Sequence, residues 1–329
     1  MQVGVPKEIF PGEHRVALTP PCVRSLRQDG HFVLVERGAG LGAGVGDVDL
    51  MDAGAEVVST AEEIYARADL IWKVLPPEPS EVGLLKRGQR LFALLHPAAH
   101  PARVAQLDQL GVAWVAAEGL QEGGRYSVQE PMSEVAGRLA VFAGARGLEQ
   151  QQGGRGLLLG GVPGVPPARV AILGGGVVGR NAARLAVALG ADVTVLDLDI
   201  HALRQVEAGV VGRVGTLLFA PDTVEAALAD ADLVIGAAAQ RGAPSPRLAS
   251  RAHLQLMKPG AVIVDVAIAD GGNFETSRPT THLAPAYVTD GIVHQAVVNL
   301  PGAVARTATL ALANAALPFV RRWAAGPRP

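Results

Sequence analysis

The chain has 329 residues, is 49% hydrophobic and 18% charged, and carries a formal net charge of −2. That apolar content supports sizeable cores and excludes a disordered chain, and the length suggests two domains. With no basic excess and only 4% aromatics, nucleic acid is excluded as a main partner.

Short apolar runs alternate with helical patterns from the start. Met1 leads directly into a strand-like segment, so no secretory signal is expected. Cys22 is the single cysteine, which rules out a disulfide framework and fits a reducing, cytoplasmic compartment. Strands are predicted at 32–36, 69–75, 91–95 and 112–116. Ser59 and Glu62 have capping-box spacing and open a helix over 60–68, and Pro101 opens another over 101–110. A long helix is predicted over 131–149, followed by a Gly/Pro-rich loop. A second series then places strands at 170–173, 192–197, 214–219, 233–237 and 261–267, with helices between them. The last helix spans about 306–321. Gly and Pro interrupt the uncharged stretches, so no membrane span and no membrane partner are expected. The pattern predicts an α/β protein with two doubly wound parallel sheets.

Gly174-Gly175-Gly176-Val177-Val178-Gly179 directly follows the strand at 170–173 and opens a helix over 177–188. In that context the motif reads as a dinucleotide-binding turn. Gly174 permits the tight turn, Gly176 lets the backbone approach the pyrophosphate, and Gly179 lets helix and strand pack closely. The pyrophosphate would sit at the helix N-terminus. The second strand ends in Asp197, whose carboxylate would accept from ribose hydroxyls and repel a 2′-phosphate, favouring NAD.

His96 follows the strand at 91–95, at the end that faces the crevice of an open α/β sheet, and can exchange a proton near neutral pH. Arg15 follows the first strand and suits a substrate carboxylate, which a guanidinium can hold at two points. Asp270 follows the strand at 261–267 and precedes Gly271-Gly272, where it either orients a group in the crevice or caps the loop. No spacing suggests a metal site.

Six segments match a known family: Val5-Pro6-Lys7-Glu8, Arg15-Val16-Ala17-Leu18-Thr19-Pro20, residues 131–139, residues 153–165, Ser277-Arg278-Pro279-Thr280-Thr281 and Asn299-Leu300-Pro301-Gly302-Ala303-Val304. In these the chain resembles alanine dehydrogenase and the related NAD-binding part of proton-pumping transhydrogenase. The resemblance implies an NAD(H)-dependent amino-acid dehydrogenase that moves hydride between NADH and the Cα of a 2-oxo acid or imine. It also implies a homo-oligomer, a dimer or hexamer. It implies a discontinuous, Rossmann-like substrate domain, residues 1–126 plus 304–329, and a Rossmann NAD-binding domain, residues 127–303. Arg15 matches the carboxylate-binding arginine and His96 the catalytic acid/base histidine. Leu75 and Met132 fall at substrate-binding positions. Ser133, Val177, Val178, Ala238, Val266 and Asn299 fall at cofactor-contacting positions, beside the glycines and Asp197.

The departures share a direction. Leu75 stands where the family carries a substrate-binding lysine, Ala117 where it carries a tyrosine, and Ala269 where it carries the catalytic aspartate. Asp270 comes one step later. A cation and an anion disappear together, which avoids leaving one buried charge alone, a penalty of about 3–5 kcal/mol. The expectation drawn from this is a substrate bulkier or more apolar than pyruvate or alanine, with imine reduction or an N-substituted amino acid as the chemistry. Two other readings stay open: ordinary L-alanine dehydrogenase with Asp270 in the absent aspartate's role, and a non-catalytic NAD(H)-binding sensor or subunit.

Overall fold

The computed structural model describes residues 1–240 and 243–326. The chain divides into two compact units: Met1–Met132 with the segment from Pro301 onward, and Ser133–Leu300. The first division falls inside a helix, six residues beyond the expected boundary at 126, and the second falls three residues before the expected 304.

The first unit alternates strictly. Its elements are β1 (Gln2–Val5), α1 (Pro20–Gln28), β2 (Phe32–Glu36), α2 (Asp47–Asp52), β3 (Glu56–Val58), α3 (Ala61–Arg67), β4 (Leu70–Trp72), α4 (Pro79–Val82), β5 (Arg90–Ala93), α5 (Pro101–Leu110) and β6 (Ala113–Ala116). The strands form one parallel sheet in the order β3-β2-β1-β4-β5-β6. They are short apolar runs buried by helices on both faces, as parallel strands require. Trp72 and Phe92 meet edge to face at 6.4 Å in its core. Full burial of one such side chain contributes roughly 1.5–3 kcal/mol.

Two local expectations need correction. The cap of α3 is Thr60, not Ser59: the Thr60 hydroxyl accepts from the Glu63 N–H at 3.3 Å. The strand expected over 69–75 ends as a regular element at Trp72. Its pairing still continues, because Lys73 N–H donates to Phe92 O at 2.9 Å and Leu94 N–H to Val74 O at 3.0 Å.

The second unit begins within α6 (Glu130–Gly147). It continues through β7 (Arg169–Leu173), α7 (Val177–Ala188), β8 (Asp192–Asp197), α8 (Ile200–Gly209), β9 (Gly215–Leu218), α9 (Pro221–Asp230), β10 (Leu233–Gly236), α10 (Arg251–Leu254), β11 (Val262–Asp265), β12 (Ala286–Thr289) and β13 (Ile292–Gln295). The sheet order is β12-β13-β11-β10-β7-β8-β9, parallel except for β12 against β13. Buried Ala182, Ala183 and Ala186 give α7 a small-residue face that lets it lie close to the sheet.

The last described helix is α11 (Ala305–Ala325), which packs into the first unit's core through Ala308, Leu312, Ala316, Phe319, Val320 and Trp323. By length and composition alone this helix could cross a membrane. It buries Ala308, Leu312, Phe319 and Trp323 in the first unit, and a helix packed into a core is apolar for the same reason a spanning one is. The parallel strands of each sheet reverse their order, between β1 and β4 and between β7 and β10. In open α/β sheets ligands bind outside the carboxyl ends of strands at that reversal.

Candidate active site

In the second unit the glycine-rich turn leaves β7 beside the end of β10. Gly174 has φ +112, and a Cβ there would lie 2.7 Å from the Ala237 backbone. A Cβ on Gly179 would lie 1.8 Å from Gly174 O, so the turn and α7 close only with glycine at that position. Gly176 is different: a Cβ there meets nothing within 4 Å. Val177 and Val178 begin α7 and are half-buried. The helix N-terminus, with open space beside its cap residue, suits a pyrophosphate.

Asp197 ends β8. Its Oδ2 accepts from Gly175 N–H at 2.6 Å and its Oδ1 from Asp199 N–H at 2.8 Å. Each carboxylate oxygen can accept a second hydrogen bond, so ribose hydroxyls remain within its chemistry. Ala238 follows β10 and is held at both backbone atoms by buried Asn273: its N–H donates to Oδ1 at 3.1 Å and its carbonyl accepts from Nδ2 at 2.8 Å. Val266 and Asp270 begin and end a 3₁₀ turn after β11. Buried Asp265 closes that loop by accepting from Asn273 N–H at 2.8 Å and Ala267 N–H at 3.2 Å, and burial raises its pKa. Ser133 is half-buried on α6, and Asn299 accepts at its carbonyl from His282 Nε2 at 2.7 Å.

In the first unit, Arg15 follows β1, Leu75 follows β4, and His96 follows β5. Arg15 is buried, and Glu13 takes its Nε–Nη2 edge, at 2.8 and 2.6 Å. Its Nη1 lies 3.3 Å from Met132 Sδ, which brings two expected substrate residues together. The Nε–Nη2 edge of the guanidinium is engaged by Glu13, which fixes its plane.

Lys73 is wholly buried, 2.7 Å from Glu81 Oε1 and 3.2 Å from Glu8 Oε2. The Tyr65 hydroxyl also donates to Glu81 at 3.1 Å. Burial works to lower the Lys73 ammonium, but Glu8 and Glu81 outweigh it and hold its pKa above the usual lysine value. Burial likewise pushes Glu8 up. Lys73 is therefore committed and does not substitute for a lysine at position 75. Leu75 is half-buried and packs against the first unit's own core, so it does not by itself enlarge a pocket.

His96 N–H donates to Glu118 Oε1 at 2.6 Å. Glu13, Glu8, Glu81, Glu118 and Asn273 are the polar partners that sequence reasoning passed over. Glu13 stands two residues from Arg15 and was visible as a possible partner. Glu81 stands eight residues from Lys73, whereas Glu8 and Glu118 lie 65 and 22 residues from Lys73 and His96.

Two doubly wound sheets, one with a complete glycine turn and an acidic residue ending its second strand, define a dinucleotide-binding α/β protein. Comparison with known proteins gives the family. The models for "Alanine dehydrogenase/PNT, N-terminal domain" and "Alanine dehydrogenase/PNT, C-terminal domain" match residues 4–136 and 140–327. The chain belongs to the alanine dehydrogenase/PNT family. It is 51% identical to alanine dehydrogenase of Halomonas elongata, over 97% of this chain and 86% of that one. It is 47% identical to alanine dehydrogenase of Mycobacterium tuberculosis, again over 97% and 86%. A solved L-alanine dehydrogenase superposes with TM-score 0.92 at 46% identity, over 99% of this chain and 90% of that one. The transhydrogenase from Sinorhizobium meliloti follows with TM-score 0.84 at 31% identity, over 98% and 93%.

The chain is an NAD-dependent amino-acid dehydrogenase, an oxidoreductase acting on CH–NH2 donors. The expectation of a bulkier substrate, and of imine reduction with it, finds no support in these relatives. The ordinary alanine-type reading fits them better.

Proposed function

We propose that this chain catalyses the reversible oxidative deamination of L-alanine: alanine, NAD⁺ and water give pyruvate, ammonium, NADH and a proton. The observation that carries the reading is 51% identity over 97% of the chain to a relative named alanine dehydrogenase. NAD fits the residues present: open space beside Gly176, the α7 N-terminus, and a carboxylate at Asp197 that disfavours a 2′-phosphate. When bound, NAD supplies the hydride acceptor.

Arg15 binds the substrate carboxylate, while Glu13 fixes the plane of its guanidinium. Leu75 and Met132 present apolar surface to a small side chain. His96 takes the proton from the substrate nitrogen or the attacking water and returns it to the departing ammonia, a role worth about 10²–10⁴-fold in rate. Asp270 serves in place of the aspartate absent at position 269. Ser133, Val177, Val178, Ala238, Val266 and Asn299 contact the cofactor.

The test is NADH oxidation with ammonium and 2-oxo acids of increasing size. Pyruvate is expected to give the highest kcat/KM. Turnover that rises with side-chain size would restore the bulkier-substrate reading. NADH binding without turnover on any acid would mark a sensor.

A further inference from the structure

The backbone at the end of β5 is unusual. Among the described residues, His96 and Asp290 are the two non-glycine residues with positive φ. Asp290 sits in the tight turn Asp290-Gly291 between β12 and β13, where such angles are ordinary. His96, at φ +45, has no hairpin to explain it, and it precedes Pro97, which narrows its allowed conformations further. A residue persists in such a conformation only when its surroundings over-determine it, and such residues gather at functional sites.

The holding group comes from the next strand. Leu94 N–H makes the last sheet bond, to Val74 O. The N–H groups of Leu95 and His96 then leave the ladder and need acceptors. Both go to one carboxylate: Leu95 N–H to Glu118 Oε2 at 3.0 Å and His96 N–H to Glu118 Oε1 at 2.6 Å. Glu118 stands on the 3₁₀ turn Ala117–Gly119 that follows β6, and Ala93 pairs with Ala116 in register, so the sheet itself brings the carboxylate beside His96. On the other side, the His96 carbonyl accepts from Ala99 N–H at 2.9 Å and His100 N–H at 3.0 Å.

We propose that Glu118 is a positioning residue: its carboxylate clamps two successive backbone N–H groups and so holds His96 in the left-handed conformation that sets the direction of its imidazole. This rests on the reading of His96 as the proton carrier. A carboxylate accepts at both oxygens, whereas a glutamine amide accepts at one and presents N–H to the other. Glu118→Gln therefore breaks half of the clamp while keeping size and shape.

The experiment measures kcat and KM for pyruvate, the pH profile of kcat, and NADH binding by fluorescence, in wild type, E118D, E118Q, H96A and H96A/E118Q. Displacement of a reacting group by about 1 Å can cost about 10²-fold. E118Q is expected to lower kcat about 10–100-fold, with NADH affinity unchanged and the histidine limb of the pH profile displaced. E118D, which keeps the charge on a shorter arm, is expected to fall between. In the H96A background E118Q is expected to cost nothing more, because the group it positions is gone. Unchanged kcat in E118Q, or an equal loss in both backgrounds, overturns the proposal. Full activity in H96A overturns the reading of His96 itself and the proposal with it. If E118Q does not fold, E118D carries the test, and wild-type kcat in folded E118D overturns the clamp.

Discussion

Glu13 grips Arg15 along one edge of its guanidinium, at 2.6 and 2.8 Å, with both side chains almost fully excluded from solvent. The pair turns a flexible cation into a fixed one. Carboxylate recognition by a pre-aimed guanidinium loses less conformational entropy than recognition by a mobile one.

Removing the carboxylate from this buried cation is costly. Glu13→Ala is expected to lower unfolding free energy by about 3–5 kcal/mol in urea titration. The double variant Glu13→Ala with Arg15→Met should regain part of that loss, since the cation is removed together with its carboxylate. Additive losses in the cycle would show that the pair is not coupled.

The two glycines of the turn should separate stability from cofactor binding. Gly179→Ala drives a Cβ into Gly174 O and should cost about 1–3 kcal/mol of stability together with NADH affinity. Gly176→Ala meets no protein atom within 4 Å. Its capping penalty is at most about 1 kcal/mol. NADH binding should nevertheless weaken about tenfold or more, as 1–3 kcal/mol of crowding against a ligand implies. Wild-type NADH affinity in Gly176→Ala would show that the cofactor does not lie against that residue.

Stability should fall on mild acidification because of His294. Its ring is fully buried, stacked on Tyr287 at 5.1 Å. Nδ1 lies 3.0 Å from Ile292 O and so carries the proton, leaving Nε2 to accept from Thr276 at 2.8 Å. Burial, the largest cause, lowers its pKa below 6.5, against the opposing Ile292 carbonyl and Asp290. The unfolded chain binds the proton first. Stability is therefore complete above pH 6.5 and is lost as pH falls from there toward the lowered folded value. One proton corresponds to a slope of up to about 1.4 kcal/mol per pH unit. His31 is lowered by burial too and adds in the same direction. Chemical unfolding of wild type and His294→Gln across this range should differ by close to one proton, and parallel pH dependences would contradict the assignment.

Much of the architecture was legible because its signals are local. Alternating apolar runs and helical periods depend on residues a few places apart, and α5 and α7 run over the residues the pattern marks. Pro101 opens the first of these, and Gly111 at φ +70 closes it. The glycine turn and the acid ending β8 are likewise short-range features. Where two neighbouring residues could both cap a helix, as at Ser59 and Thr60, local pattern could not choose, because the entry angle of the chain decides.

The sequence by itself determined two αβ series, the dinucleotide turn, and the segments after β1 and β5 that hold Arg15 and His96. Only the tertiary structure decided what those side chains are bound to. The order β3-β2-β1-β4-β5-β6 puts Glu118 beside His96, 22 residues away, and Glu8 beside Val74, 66 residues away. It encloses Lys73 between two carboxylates, which a reader of the strand alone would have left available. The physical reason is that parallel strands are joined by crossovers, so neighbours in the sheet are distant in the chain. Their hydrogen-bonding partners then follow from strand order and register, which no window of sequence contains.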